Sequence, residues 1–174
     1  MPIISDIARV QRNFNEFRKN RLRFVGTIAV GFFKDDIFKA GGFIDNGLQK
    51  WIERKNQSTK KKRALLIYTG ALRRSIRILR LSGNSITVVS QGIKYAQIHN
   101  TGGTITQTPT DRQRRFFWAQ YRQTKNDMWK HAALAQTITI RIPQRKFIGQ
   151  SAGLNKRIER QLTRELMRIL ETNL

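Results

Sequence analysis

The sequence predicts an α+β protein: a long N-terminal helix and a C-terminal helix packed on a small, mainly antiparallel sheet of about four strands. Three observations carry that expectation. Apolar residues recur at steps of three or four near both ends of the chain, as helices buried on one face require. Between them lie short alternating stretches, Ser75 to Leu81, Ser85 to Gln91 and Thr137 to Ile142, with the period of two that strands need. Ser82-Gly83-Asn84 separates the first two stretches and fits a hairpin turn. At 174 residues the simplest organisation is one domain, 1–174, able to bury roughly 70% of its unfolded surface without staples.

In the helical N-terminal part, residues 1–55, Ser5 is placed to cap the first helix and Asp6 to meet the positive end of its dipole. Ile7, Val10, Phe14, Phe17, Phe24, Ile28 and Phe32 mark one face, interrupted by Arg21. Gly26 suggests a bend, and Gly41-Gly42 an end. Leu48, Trp51 and Ile52 then stand at helical spacing and predict a short second helix anchored by Trp51. Residues 55–63 contain no apolar side chain and include the unbroken run Lys60, Lys61, Lys62, Arg63, which reads as an exposed basic loop.

The central part, 64–103, opens with an apolar run from Ala64 to Tyr68, expected to be a strand, which breaks at Thr69-Gly70. Gly70 can take the positive φ that a chain reversal needs, and Thr69 can accept a hydrogen bond from the backbone ahead of it. A helical turn and the strand hairpin follow. Lys94 to Asn100 reads as one or two helical turns, with Tyr95 and Ile98 on one side and Gly102-Gly103 closing them. Both glycine sites are expected to need a conformation that a Cβ would strain.

Residues 104–136 form an aromatic and arginine-rich insertion. Thr110-Asp111-Arg112-Gln113 fits a capping box that starts a helix through about Gln123. Phe116, Phe117, Trp118, Tyr121 and Trp129 crowd this stretch beside Arg112, Arg114, Arg115 and Arg122. That mixture favours a protein interface, with ordinary core and stacking on single-stranded bases as the alternatives. The last part, 137–174, holds a strand that Pro143 must end, then a helix marked by Leu154, Ile158, Leu162, Leu166, Ile169 and Leu170, with Ser151 or Asn155 near its start. Trp51 and Phe147 are expected to anchor apolar clusters on either side of the sheet.

Charge dominates the composition. Lys and Arg number 34 against 11 acids, a net charge of +23, which points to a polyanion or an acidic protein surface as partner. The basic residues Lys60, Lys61, Lys62, Arg63, Arg73, Arg74 and Arg77 are the candidates for contact with DNA or such a surface. There is no cysteine, so neither a disulfide scaffold nor a thiolate metal site can form. The N-terminus shows no basic-then-apolar signal, and the apolar stretch from Phe24 to Phe33 is far shorter than the ~20 residues of a membrane span. No cofactor or metal is expected. His99 and His131 lack a neighbouring His, Asp or Glu at ligand spacing, and Asp35-Asp36 reads as a solvated helix face. No phosphate loop, G-x-S-x-G or H-E-x-x-H is present, so a non-enzymatic role is expected.

Three motifs add a family. Thr69, Gly70, Leu72 and Ser75 lie in T-G-x-L-x-x-S-I, while Tyr95, His99, Gly102 and Gly103 lie in Y-A-x-I-H-N-x-G-G. Pro143, Arg145, Phe147 and Gly149 lie in I-P-x-R-x-F-I-G. In this order they resemble the virion-morphogenesis, or tail-completion, family of long-tailed bacteriophages, of the Mu type. The resemblance covers the chain from about residue 65 to its end, and the insertion has no clear counterpart in it. It implies a homo-oligomeric ring, commonly six-fold, in the neck or at the head-proximal end of the tail, built after synthesis in the host cytoplasm. Such a ring would join portal, adaptor or head-closure proteins to the tail tube around packaged double-stranded DNA, without a membrane. The rival expectation is a freestanding basic nucleic-acid-binding protein.

Overall fold

The computed structural model describes residues 2–54 and 64–171, with side chains from residue 7 onward; the expected basic loop with Lys60, Lys61, Lys62 and Arg63 lies outside them. Helix α1 (Pro2–Gly31) begins before Ser5, which is therefore inside the helix and not its cap. Proline at the first helical position supplies a pre-set φ and loses no hydrogen bond there. Arg21, the polar break in the apolar stripe, reaches the hairpin turn and donates to Asn84 Oδ1 at 2.8 Å. No bend is needed at Gly26. A Cβ there would stand 2.6 Å from Ile78 Cδ1, so this glycine lets the β-hairpin approach the helix closely.

A π-helical turn (Phe32–Asp36) and α2 (Ile37–Ala40) extend α1 to Gly41. The wider turn shifts the apolar stripe, so that Phe32, Phe33, Ile37 and Phe38 are all buried. The expected short helix after it is instead a hairpin, β1 (Gly42–Ile44) against β2 (Leu48–Lys50). Asp45 donates its N–H to Gly47 O at 3.0 Å and closes the turn. The helical spacing of Leu48, Trp51 and Ile52 was a poor guide because only Trp51 is buried.

The apolar run 64–68 is a turn, not a strand. Ile67 donates its N–H to Ala64 O at 3.3 Å, and Leu66 sits at φ 59°. Leu65, Leu66 and Ile67 still pack on the core, so burial and not pairing explains their apolar character. One helical turn, α3 (Ala71–Arg74), leads into β3 (Ile76–Ser82), which pairs antiparallel with β4 (Ser85–Ser90) as expected. Then come α4 (Ala96–Thr101) and β5 (Gly103–Gln107), α5 (Asp111–Thr124), α6 (Asp127–Leu134), β6 (Ile138–Ile142) and α7 (Ala152–Glu171).

β5 was not legible as a strand, and it is the partner of β6. Among the described residues the strands therefore form three separate two-stranded ribbons, not one four-stranded sheet. α1 packs along α7 and across β3 and β4. The core gathers Phe32, Phe33, Ile37, Phe38, Phe43, Trp51, Leu72, Ile76, Phe147 and Leu154. Trp51 and Phe147 lie in this one cluster, each against the Phe38 ring at 5.5 and 6.1 Å, and not on opposite faces of a sheet. None of residues 103–142 belongs to it.

Candidate functional site

The three motifs, far apart in sequence, meet at one junction. Gly70 has φ 74°, the left-handed region, and hands the chain to α3. Thr69 Oγ1 accepts from the Ala71 N–H at 3.3 Å, as an ST turn does. Leu72 is buried beneath it, and Ser75 Oγ lies 2.7 Å from Leu72 O and 2.6 Å from Ser90 Oγ, tying α3 to β4. Gly102 has φ 72°, and a Cβ would come within 2.9 Å of Gln144 N. Positive φ and close approach of the third motif thus exclude any larger residue. Gly103 follows at φ 150° and starts β5; Pro143 follows Ile142 and ends β6. Gly149 is exposed, two residues before Ser151, whose Oγ accepts from the Leu154 N–H at 3.0 Å and caps α7.

Asn100 is the residue that locks the junction. Its Oδ1 accepts from the Phe147 and Ile148 N–H groups at 2.9 and 3.1 Å, and its carbonyl accepts from Gln144 Nε2 at 3.2 Å. Arg145 N donates to His99 O at 2.7 Å, and Trp51 Nε1 to Lys146 O at 2.7 Å. Sequence reasoning placed Asn100 in the motif without giving it a role. The signal available was an Asn at the end of a helical turn, where a short amide can bond nearby backbone.

Beside the junction lies a cavity of about 320 Å³ lined by Arg54, Leu66, Tyr68, Tyr95, His99 and Arg145, among others. Arg145 is 8% exposed; its Nε donates to Ile52 O at 2.8 Å. Burial pushes its guanidinium below the usual arginine range, and neighbouring Arg54 adds to this. The His99 ring meets Tyr95 edge-on at 5.7 Å. Burial, and then Arg145, hold its imidazole below the ordinary histidine value. Its Nδ1 is sealed without a hydrogen-bond partner.

The basic candidates divide. Arg73 is used internally, through Nε to Lys34 O at 2.8 Å and Nη2 to Asp35 at 2.5 Å. Asp36 pairs with Arg157, so the two aspartates are ion-pair partners more than a solvated face. Arg74 and Arg77 are exposed. A bulge between Ile78 and Arg80 sets Arg77 opposite Val89 and Arg80 opposite Thr87, so both arginines share the ribbon's outer face. Arg80 was missed because strict alternation would put it on the other side.

The insertion is an arm: β5 and β6 form its stalk, and α5 with α6 its tip. Both halves of the Thr110–Gln113 capping box are present. Phe117 stacks on Trp129 at 5.9 Å, Phe116 meets Trp129 edge-on at 6.0 Å, and Trp118 meets Tyr121 at 6.0 Å. Much apolar surface stays open, with Phe116 at 53% and, facing each other on the stalk, Ile105 at 37% and Ile140 at 40% exposure. His131 also lies on this arm, far from the His99 junction in the chain.

Among the described residues no helix is long and apolar enough to cross a membrane, and no group of three or more His, Cys, Asp or Glu is placed to hold a metal ion. No curated protein and no solved structure matches the chain. A family model for the phage virion morphogenesis family matches residues 46–167, which takes in the junction, the basic ribbon and the arm. The chain belongs to the phage virion morphogenesis family, and its role is that of a phage structural protein.

Proposed function

We propose that this chain is a subunit of a ring, six-fold in the simplest case, in the neck or head-proximal tail of the virion. The ring joins the DNA-filled head to the tail, and its work is assembly, not turnover. The observation that carries this reading is the set of free strand edges. Each strand of the three ribbons has one paired edge and one open edge within the described chain. The β5–β6 ribbon lies outside the core, where a two-stranded ribbon alone is marginal, and open edges on all three invite pairing with another chain. The arm supports the same reading, because its exposed aromatic and isoleucine side chains lie outside the core and suit burial against a neighbouring copy.

Closed symmetry satisfies every such edge and arm at once, whereas an open array would leave two unsatisfied ends. Portal, adaptor or head-closure proteins and the tail tube are then the neighbours above and below. Arg74, Arg77 and Arg80, with the Lys60–Arg63 run, would face DNA in the channel or an acidic surface. Electron microscopy of the purified protein, alone and with its neighbours, tests the reading. Rings are expected; a monomer in every mixture would overturn it.

A second reading, a freestanding nucleic-acid-binding protein, is favoured by the net charge of +23 alone. It requires strongly salt-dependent DNA binding by the monomer.

A further inference from the structure

The cavity beside the motif junction contains an arginine that forms no ion pair among the described residues. Arg145 is more than nine-tenths buried, and among the described residues no carboxylate forms an ion pair with it. Of its guanidinium nitrogens, Nε alone has a partner among the described residues, the Ile52 carbonyl. The other charged or titratable groups on the described cavity wall are Arg54 and His99, with the phenols of Tyr68 and Tyr95, so none of the described wall residues is an acid. A buried guanidinium stays protonated and is costly without a counter-charge, and a second cation beside it raises that cost. The remaining wall is mostly apolar or aromatic, with Leu65, Leu66, Leu72 and the two tyrosine rings beside Thr69, Gly70 and Ala71.

We propose that this cavity is a binding site for a carboxylate carried on a short apolar-flanked segment of a partner protein, an acidic side chain seated between Arg54 and Arg145. The volume of about 320 Å³ suits one side chain and part of its neighbour. The concave, leucine-lined shape disfavours duplex DNA, whose phosphates lie on a convex surface flanked by sugars. Leu66 shapes the wall from a left-handed φ of 59°, a conformation that costs a leucine energy and that clusters at ligand sites. The pair is also matched in form, because a planar guanidinium can grip a carboxylate with two parallel hydrogen bonds. This site is separate from the exposed basic ribbon, and it does not depend on ring formation.

His99 provides the reporter. A carboxylate beside Arg145 offsets the cation that now disfavours the imidazolium, so the histidine pKa should rise on binding. The probe is an acetylated, amidated Leu-Glu-Leu peptide, with Leu-Gln-Leu, inorganic phosphate and a DNA duplex as comparisons, titrated into the full chain by NMR. The Glu peptide should saturate, shift the His99 ring signals and raise their pKa. Arg54→Gln, at the cavity mouth, should weaken it by about tenfold, and Arg54→Lys by less. Arg145→Lys gives a second variant should Arg145→Gln fail to fold. Equal binding of the Gln peptide, or no His99 response to the Glu peptide, would overturn the proposal. A His99 response to phosphate or duplex but not to the Glu peptide would assign the site to nucleic acid and overturn it as well.

Discussion

The motif junction and the arm are built from similar residues and held together differently. At the junction, Phe147 is fully buried, and Asn100, Trp51 and Arg145 each bond backbone from a segment remote in sequence. At the tip of the arm, the contacts are local: a capping box, a helix–helix pair and rings that remain partly exposed. The junction is thus stabilised by what one chain brings together. The arm has the composition of a core but lacks a core to join, so its remaining apolar surface is available to another molecule.

The largest contrast should appear on truncating rings. Phe147→Ala should lower stability by about 3–5 kcal/mol, since it empties a fully buried site against Phe38. Trp129→Ala should cost the monomer less than about 2 kcal/mol, because its site can collapse or hydrate. Chemical denaturation of both variants measures this directly, and equal losses would erase the distinction. Next comes Asn100→Ala, which leaves two N–H groups without their acceptor and should cost about 2 kcal/mol. Asn100→Asp keeps an oxygen that can accept both bonds and should cost less.

Smaller effects sharpen the comparison. Thr110→Ala removes the cap of α5 and should cost about 1 kcal/mol. That loss should appear as faster amide exchange within the arm, with the junction's exchange unchanged. The smallest effect concerns pH. His99 binds its proton more weakly in the folded chain than in the unfolded one, so the unfolded state takes up more protons on acidification. Stability should be unaffected above about pH 6.5 and fall as pH drops from there towards the lowered folded value. His99→Gln should flatten that part of the melting-temperature profile while leaving acid unfolding through carboxylates intact.

The pattern of what the sequence disclosed follows the same division. Elements specified by neighbours were legible: α1 and α7 by periodicity, the β3–β4 hairpin by its glycine turn, α5 by its capping box. The positive φ at Gly70 and Gly102 was legible too, because only glycine adopts it without strain. Elements specified by distant partners were not. Ala64 to Tyr68 looks like a strand because burial selects apolar residues whether or not a ladder forms. β5 is short, begins at Gly103 and becomes a strand only through Ile138 to Ile142, more than thirty residues on. The grouping of Arg54, His99 and Arg145 was hidden for that reason, since no spacing rule links three sites joined only by tertiary packing.

On the proposed function the junction folds by itself, while the arm and open edges belong to assembly. Gln107 and Ile138 are directly paired, so a short hairpin turn can replace residues 109–136 without moving the stalk. Electron microscopy and thermal melting of this deletion, beside the full chain, form the direct test. Rings are expected from the full chain, and from the deletion a folded monomer whose junction melts at nearly the same temperature. A deletion that cannot fold, or one that still closes into the same ring, would contradict it.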